Sequence, residues 1–429
     1  MGSFVPAPIA RADEASPAEQ RLAIHAQMTT VVQGVGGFSS PYAADNSLTP
    51  DQVKSTSDVT LYLGLRTWRG AELWANPEID QGFGLSHPLG AAGFPSAEAY
   101  RVGKLNPYFK MQRLFLRQII ALGGDSQPVE AGANQLRTTM RANRIVLTLG
   151  KFAVGDVFDT NRFAHDPRSD FLNWSLVDTG SFDYAANAWG YSYGAAAEWY
   201  QGRWTLRAGL FNLSTVPNGT DLETGFGQHE LVIELERRFR LAGRDGAVRL
   251  TGFRNRGRFA RFDEALARSR PPGAEPDLAP ARRVQDRIGV ALNAEQDVTA
   301  NLGLFLRAGL TDGQSETYDF TDIDRTIAVG GALKGAGWGR AQDTLGLAVA
   351  ANEISPAHQR WLAAGGLGVL VGDGQLPHPG GERVFEAYYA LHPVSRLTVT
   401  FDLQHIANPG YNRDRGPADV FGARLHYSL

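Results

Sequence analysis

Apolar and polar side chains alternate with a period of two along much of the chain. In the segment 58–66 one face is apolar throughout, with Val59, Leu61, Leu63 and Leu65. The same alternation returns in three further segments, at 203–210, 301–310 and 396–404. This is the period of a β-strand with one apolar and one polar face. The alternation alone does not decide whether the apolar face meets a protein core or lipid.

Sixteen segments are predicted as strands from this pattern. They lie at about 21–34, 56–68, 71–82, 109–121, 143–152, 190–201, 203–213, 228–240, 246–256, 286–298, 300–312, 325–336, 342–353, 383–392, 396–406 and 417–429. The connections between them alternate between short and long. Short turns at one rim and long loops at the other are typical of a bacterial outer-membrane barrel. One connection, at 122–142, should be short and has about twenty residues, so it is either a misplaced strand or an elaborated turn.

We therefore predict an all-β fold, a transmembrane antiparallel β-barrel of about sixteen strands over 21–429. The short turns would lie on the periplasmic side and the long loops on the extracellular side. Residues 1–20 would form a flexible N-terminal segment. A barrel of this size leaves an aqueous lumen, which the polar face would line. No run of eighteen or more apolar residues predicts a membrane helix. The start, 1–4, has no signal-peptide pattern, and we expect that signal to be missing from the sequence.

Composition and motifs exclude several other classes of function. Lys and Arg number 42 against 45 Asp and Glu, so no nucleic-acid partner is expected. Cysteine is absent and the nine histidines show no metal-ligand spacing, so no metal and no cofactor is expected. The segment 190–194 matches G-x-S-x-G, but it lies in an alternating stretch and not at a strand-to-helix turn. We therefore expect no enzyme.

The long loop at 153–189 carries the first set of candidate site residues. They are Arg162, Asp166, Arg168, Asp170, Phe171 and Trp174. Aromatic rings pack against the C–H faces of sugars, and charged groups pair with sugar hydroxyls. The alternative is that these charges pair with one another and the rings form a small core of the loop. Both hold if the loop folds inward as a constriction, which we expect because a sixteen-stranded barrel is too wide to select by itself.

Charged side chains on the polar face of the strands form the second set. By parity they include Arg66, Arg113, Arg117, Arg207, Arg307, Arg424, Glu234, Glu236 and Asp402. Rings of charge set the selectivity of pores, and mixed signs favour neutral polar solutes. The alternative is that these groups only keep a wide lumen hydrated.

Several blocks resemble the carbohydrate-selective porins of the OprB type. They are 76–84 (NPEIDQGFG), 92–95 (AGFP), 150–152 (GKF), 164–174 (AHDPRSDFLNW), 386–389 (EAYY) and 408–417 (NPGYNRDRGP). The resemblance extends from about residue 20 to the end. It implies a sixteen-stranded outer-membrane channel for sugars, with a constriction lined by charged and aromatic side chains. The chain departs from outer-membrane barrels by ending in Leu429 instead of an aromatic residue.

The sequence thus predicts passive diffusion of mono- or oligosaccharides across an outer membrane. The expected partners are small-molecule sugars and outer-membrane lipid, with monomer and homotrimer both open. One alternative is a general or organic-acid-selective porin. The alternative from another class is a secreted β-rich glycan-binding protein or hydrolase.

Overall fold

The computed structural model describes residues 19–99, 102–268 and 276–429. Sixteen strands form one closed barrel within these ranges. They are β1 (Leu22–Val35), β2 (Gln52–Arg66), β3 (Ala71–Gly82), β4 (Lys104–Val129), β5 (Thr138–Phe152), β6 (Ser192–Gln201), β7 (Trp204–Asn212), β8 (His229–Leu241), β9 (Arg244–Phe259), β10 (Arg283–Asp297), β11 (Leu302–Thr311), β12 (Arg325–Gly335), β13 (Arg340–Glu353), β14 (Glu382–Val394), β15 (Leu397–Ala407) and β16 (Ala418–Ser428). Each strand pairs antiparallel with its neighbours in sequence, and β1 closes the barrel on β16. The predicted fold is confirmed, whereas the segment 1–20 lies mostly outside the described residues.

The two faces of the wall follow the parity of the sequence. On β2, Leu61 and Leu63 are exposed on the outside, and Thr60 and Tyr62 between them are buried inside. Successive side chains of a strand point to opposite faces, so one segment supplies both a lipid-facing and a lumen-facing row. The apolar side chains of the outer row contact the hydrocarbon of the membrane. The polar side chains of the inner row face the lumen and avoid that hydrocarbon.

The connection that breaks the short–long rule is an elongated hairpin. β4 continues to Val129 and β5 begins at Thr138, with bulges near Gly123 that keep the extension paired. The turn between them folds back toward the barrel, where Leu136 is fully buried. The Arg117 guanidinium donates to the Asn134 carbonyl at 2.7 Å and fixes that turn. The predicted strand boundaries were therefore wrong at this connection, since β4 ends eight residues later and β5 begins five residues earlier than predicted.

The long loops carry the helices of the described residues and pack inside the barrel. These helices are α1 (Trp174–Val177), α2 (Phe262–Arg268) and α3 (Pro356–Ala363). Helix α1 begins after Asn173, whose side chain accepts a hydrogen bond from the Ser175 N–H. Measured over the ranges that the structure describes, none of the helices has the length and apolar character needed to cross a membrane. The apolar core therefore lies where the loops meet the inner wall.

Candidate functional site

The loop between β5 and β6 enters the lumen and crosses it. We call residues 153–191 the constriction loop. Its Asn161 side chain donates to Asn293 on β10 at 2.8 Å, and its Leu172 N–H donates to Glu386 on β14 at 2.6 Å. Arg424 on β16 donates to the Pro167 carbonyl at 2.6 Å. Contacts with strands so far apart around the barrel place the loop in the interior.

Buried charges of the wall hold the backbone of this loop. The Arg307 guanidinium on β11 is fully buried and donates to the carbonyls of Ala164 (2.7 Å) and Leu176 (2.8 Å). Arg424 adds a bond to the Asp170 carbonyl at 2.9 Å. Loops that leave the aqueous phase need partners for their backbone groups. Arg307 and Arg424 thus lie on the lumenal face of the wall, as parity predicted. Both donate hydrogen bonds to backbone carbonyls of the constriction loop.

Two further wall contacts fix the part of the loop that lies deepest. Arg162 bridges to Glu295 (2.8 Å) and Asp297 (3.0 Å) on β10. The Asp159 N–H donates to Glu234 on β8 at 2.9 Å. Arg162 and Glu234, both candidates from the sequence, therefore join the loop to the wall.

Arg168 lies at the centre of a group of carboxylates. Its guanidinium is 3.0 Å from Glu98, 3.6 Å from Asp58 and 3.7 Å from Glu78. Burial raises the pKa of Glu98 well above its ordinary value although Arg168 acts in the opposite direction.

Asp166 and Asp170 shape the tight turn that carries Arg168. Asp170 accepts hydrogen bonds from the N–H groups of His165 and Asp166, both at 3.1 Å. Asp166 accepts from the Arg168 N–H at 3.0 Å. Burial, reinforced by the charge of Asp166, raises the pKa of Asp170. These two candidates act within the loop, and the carboxylate of Asp166 also borders the cavity described next.

Aromatic rings from three loops line a cavity beside Arg168. The rings are those of Phe94, Trp174, Tyr184 and Phe320, joined by Trp189 and Tyr191. The Phe94 and Trp174 rings are nearly parallel, at 10°, with centroids 5.3 Å apart. The polar residues of the lining are Glu98, His165, Asp166, Arg168 and Asp178. The cavity leaves about 90 Å³ for the centres of water molecules.

Trp174 presents an unused hydrogen-bond donor in this lining. Its side chain is 5 % exposed, and its indole N–H has no hydrogen-bond partner among the described residues. A buried donor without a partner is uncommon in native structures.

Phe171, three residues earlier, has a different environment. It is fully buried, with its ring centroid 4.9 Å from that of Tyr388 and 5.7 Å from that of Phe305 on the wall. It does not line the cavity. Of the two rings predicted for sugar contact, the structure brings only Trp174 to the polar groups.

The other predicted lumenal charges lie along the wall in paired groups. Arg207 pairs with Glu234 (2.7 Å) and Glu236 (3.1 Å). Arg66 and Arg117 each approach Glu72 at 3.8 Å near the short-turn rim. The remaining pairs join Arg113 to Asp156 at 2.7 Å and Asp402 to the Gln404 amide at 2.9 Å.

Sequence reasoning did not single out several lining residues as site residues. Phe94, Glu98 and Phe320 come from loops distant in sequence from the constriction loop. Phe94 lies in the AGFP block at 92–95, and that block was the one available signal. No comparable motif marks Glu98 or Phe320. Within the ranges that the structure covers, no group of three or more His, Asp or Glu side chains could hold a metal ion.

Comparisons with known proteins identify the family. The family model described as carbohydrate-selective porin, OprB family, matches residues 45–429. Among solved structures, Pseudomonas putida OprB is 17% identical with a TM-score of 0.72, over 95% of this chain and 94% of that one. The outer-membrane channel DcaP of Acinetobacter baumannii is 11% identical with a TM-score of 0.50, over 95% of this chain and 97% of that one. At such identities these two structures show the fold alone.

The curated proteins contain no match to the chain. The findings do not favour a general or organic-acid-selective porin, or a secreted glycan-binding protein or hydrolase. Porins are channel proteins, and their barrels belong to the bacterial outer membrane. The chain belongs to the OprB family of carbohydrate-selective porins.

Proposed function

We propose that sugars diffuse passively through this barrel and are selected at the cavity lined by Phe94 and Trp174. The observation that carries the proposal is the lining of this cavity, where the Trp174 residue lies beside further aromatic residues and the polar residues Glu98 and Arg168. A sugar supplies both complements, since its C–H face packs on the rings and its hydroxyls pair with polar groups. Arg168 and Glu98 lie close enough to the rings to act on the same sugar.

Neutral solutes suit the charge distribution of the lumen. On the deeper wall, Arg207 and Arg249 pair with Glu234, Glu236 and Glu295. Arg162 of the constriction loop adds contacts with Glu295 and Asp297, so charges of both signs lie close together. Mixed signs favour neutral polar solutes over ions of one sign. Sugars would therefore meet a polar passage without competition from a tightly held counter-ion.

Weak binding is part of this mechanism. The cavity has room for several water molecules, which the hydroxyls of one sugar ring would displace. A site that conducts must bind strongly enough to admit the solute and weakly enough to release it. Flux then follows the concentration gradient, with no chemical step.

Lipid and further copies of the chain would bind on the outside. The exposed leucines of the outer row, such as Leu206 and Leu304, would contact the acyl chains of the membrane. All cavity residues come from one chain, so sugar selection needs only a monomer, and a homotrimer would carry three separate passages. Light scattering in detergent and single-channel recording distinguish the two, because a trimer shows three coupled conductance levels.

The test is sugar block of the ion current in planar bilayers. Trp174→Leu should weaken block by about tenfold, because loss of one aromatic contact is worth roughly 1.5 kcal/mol. Phe171→Leu is the matched control, since it removes a ring from the same loop that does not line the cavity. It should change stability and leave the block constant nearly unaltered.

Equal weakening by both substitutions would show that the loop acts only as a scaffold. An unchanged block constant for Trp174→Leu would move selection away from this cavity. Either result contradicts the proposed site while leaving the family assignment intact.

A further inference from the structure

Three arginines face outward where the strand β9 approaches its long loop. They are Arg254, Arg256 and Arg258, at every second position. The residues that flank and separate them, including Phe253, Asn255 and Phe259, are buried on the lumenal side. Parity therefore sets the three guanidinium groups on the membrane side of the wall. β9 leads into the long connection to β10, so this end of the strand is extracellular.

The arginines lie directly above the lipid-facing row. Arg254 is in register with Leu231 on β8 and Ile288 on β10, and both of these side chains are exposed outward. The outward apolar residue Leu250 lies four residues before Arg254 on the same face, beyond Gly252. A guanidinium at this height reaches up along the wall toward the headgroups, because its placement in hydrocarbon is costly.

One carboxylate faces these three positive charges. Asp286 accepts from Arg254 at 2.8 Å and lies 3.2 Å from Arg256. The Arg258 guanidinium makes no ion pair with any residue that the structure describes. Arg254 and Arg256 remain close to half exposed, at 45% and 43% of their side chains. The group thus has a surplus of positive charge and donors that remain accessible.

We propose that Arg254, Arg256 and Arg258 bind a phosphate-bearing lipid headgroup of the extracellular leaflet. Arginine forks match phosphate oxygens with two parallel hydrogen bonds each. The apolar residues immediately below accept the acyl chains of the same molecule, so a lipid satisfies both parts of the surface. Clusters of basic residues beside a membrane-spanning segment are typical of such recognition. The site lies outside the barrel and is independent of the sugar cavity.

The test titrates the full-length chain in detergent micelles with diphosphorylated lipid A and measures bound lipid by native mass spectrometry. The variant Arg254→Gln/Arg256→Gln/Arg258→Gln should weaken binding by at least about tenfold, because each lost charge-assisted hydrogen bond is worth about that factor. Lipid A without its phosphates should bind the unmodified chain as weakly. Asp286→Asn should tighten binding, because it removes the carboxylate that competes with phosphate.

The matched control is Arg237→Gln/Arg240→Gln/Arg244→Gln, at the short-turn end of the same wall sector. It should leave binding unchanged, and equal loss in both triple variants would overturn a localised site. Displacement of the lipid by inorganic phosphate at equal phosphate concentration would identify a site for the free anion and overturn the proposal. A change of oligomeric mass without loss of lipid would identify a contact between copies of the chain and also overturn it. Weakened lipid binding by Asp286→Asn contradicts the proposal even if the triple variant does not fold.

Discussion

The two halves of the lumen hold their charges in different ways. In the periplasmic half, Arg207 pairs with Glu234 and Glu236 at 2.7 and 3.1 Å, and Arg249 extends the same group to Glu295. In the extracellular half, the single guanidinium of Arg168 faces three carboxylates, at 3.0 to 3.7 Å. In the first half two arginines share three carboxylates, whereas in the second a single arginine shares three.

This difference indicates where a solute can be recognised. A fully paired buried network strengthens the wall, and its members have few donors or acceptors left for a ligand. The extracellular half combines surplus carboxyl groups with the unpaired indole N–H of Trp174 and the ring of Phe94. We therefore expect solute recognition in the extracellular half and a larger contribution to wall stability from the periplasmic half. Three predictions separate these roles.

The largest effect is expected from Arg207→Met in the periplasmic half. It should lower the free energy of unfolding by about 3–5 kcal/mol, because Glu234 stays buried and loses the one ion-pair partner it has among the described residues. Glu236 keeps its contact with Arg249. Guanidinium unfolding in lipid vesicles measures this change. The matched control is Arg203→Met, at the exposed turn before β7. A loss below about 1 kcal/mol would show that the network is hydrated like a surface pair and that the two halves do not differ.

A smaller effect is expected from Arg424→Gln. The native Arg424 side chain holds the constriction loop in the extracellular half. Its bonds to the carbonyls of Pro167 and Asp170 should be worth about 1.5–3 kcal/mol together, since the donor is charged. Release of this turn should also raise the ion current and its fluctuations in planar bilayers. Arg396→Gln, exposed at the turn before β15, is the control and should change neither. A stable variant with an unchanged current would mean that other contacts hold the loop.

The strands could be predicted because their signal is local. Alternation in a segment such as 203–210 reports the two faces directly, and the structure keeps that parity at Leu206 and Arg207. The signal fails where a strand leaves the membrane. The part of β4 beyond Ala121 is exposed on both faces. Because this part has no buried row of side chains, its sequence does not alternate between apolar and polar residues. The ends of β4 and β5 could therefore not be predicted within 122–142.

The site could be predicted only in part because its contacts are distant in sequence. The composition of the constriction loop pointed to Arg168 and Trp174 as candidates, and both line the cavity. Parity placed Arg307 on the lumenal face, but it carries no information about what fills the lumen there. The structure shows the loop backbone against Arg307. The ring of Phe320, from a third loop, had no sequence signal linking it to Trp174.

The smallest of the three effects concerns pH and the histidine of the constriction loop. His165 Nδ1 lies 3.4 Å from Asp178, and Nε2 lies 3.1 Å from the Gly155 carbonyl. Burial lowers the pKa of His165, but the hydrogen bond and charge of Asp178 outweigh it, so the pKa is raised overall. The protonated ring carries a hydrogen on both nitrogens and a positive charge, and both favour these two contacts. A pKa above its unfolded value means that this stabilisation is present at low pH and is lost as pH rises through the folded-state pKa.

The ion current of the unmodified channel should therefore rise modestly from mildly acidic to alkaline pH, as the loop loosens around His165. His165→Gln keeps a neutral donor and should give a current with a flatter pH dependence. Asp178→Asn removes the carboxylate that raises the pKa, so the step should move to lower pH without disappearing. A step that persists unchanged in both variants would assign the titration to another group. That result would show that the loop is held by the wall contacts of Arg307 and Arg424, with no contribution from its internal pair.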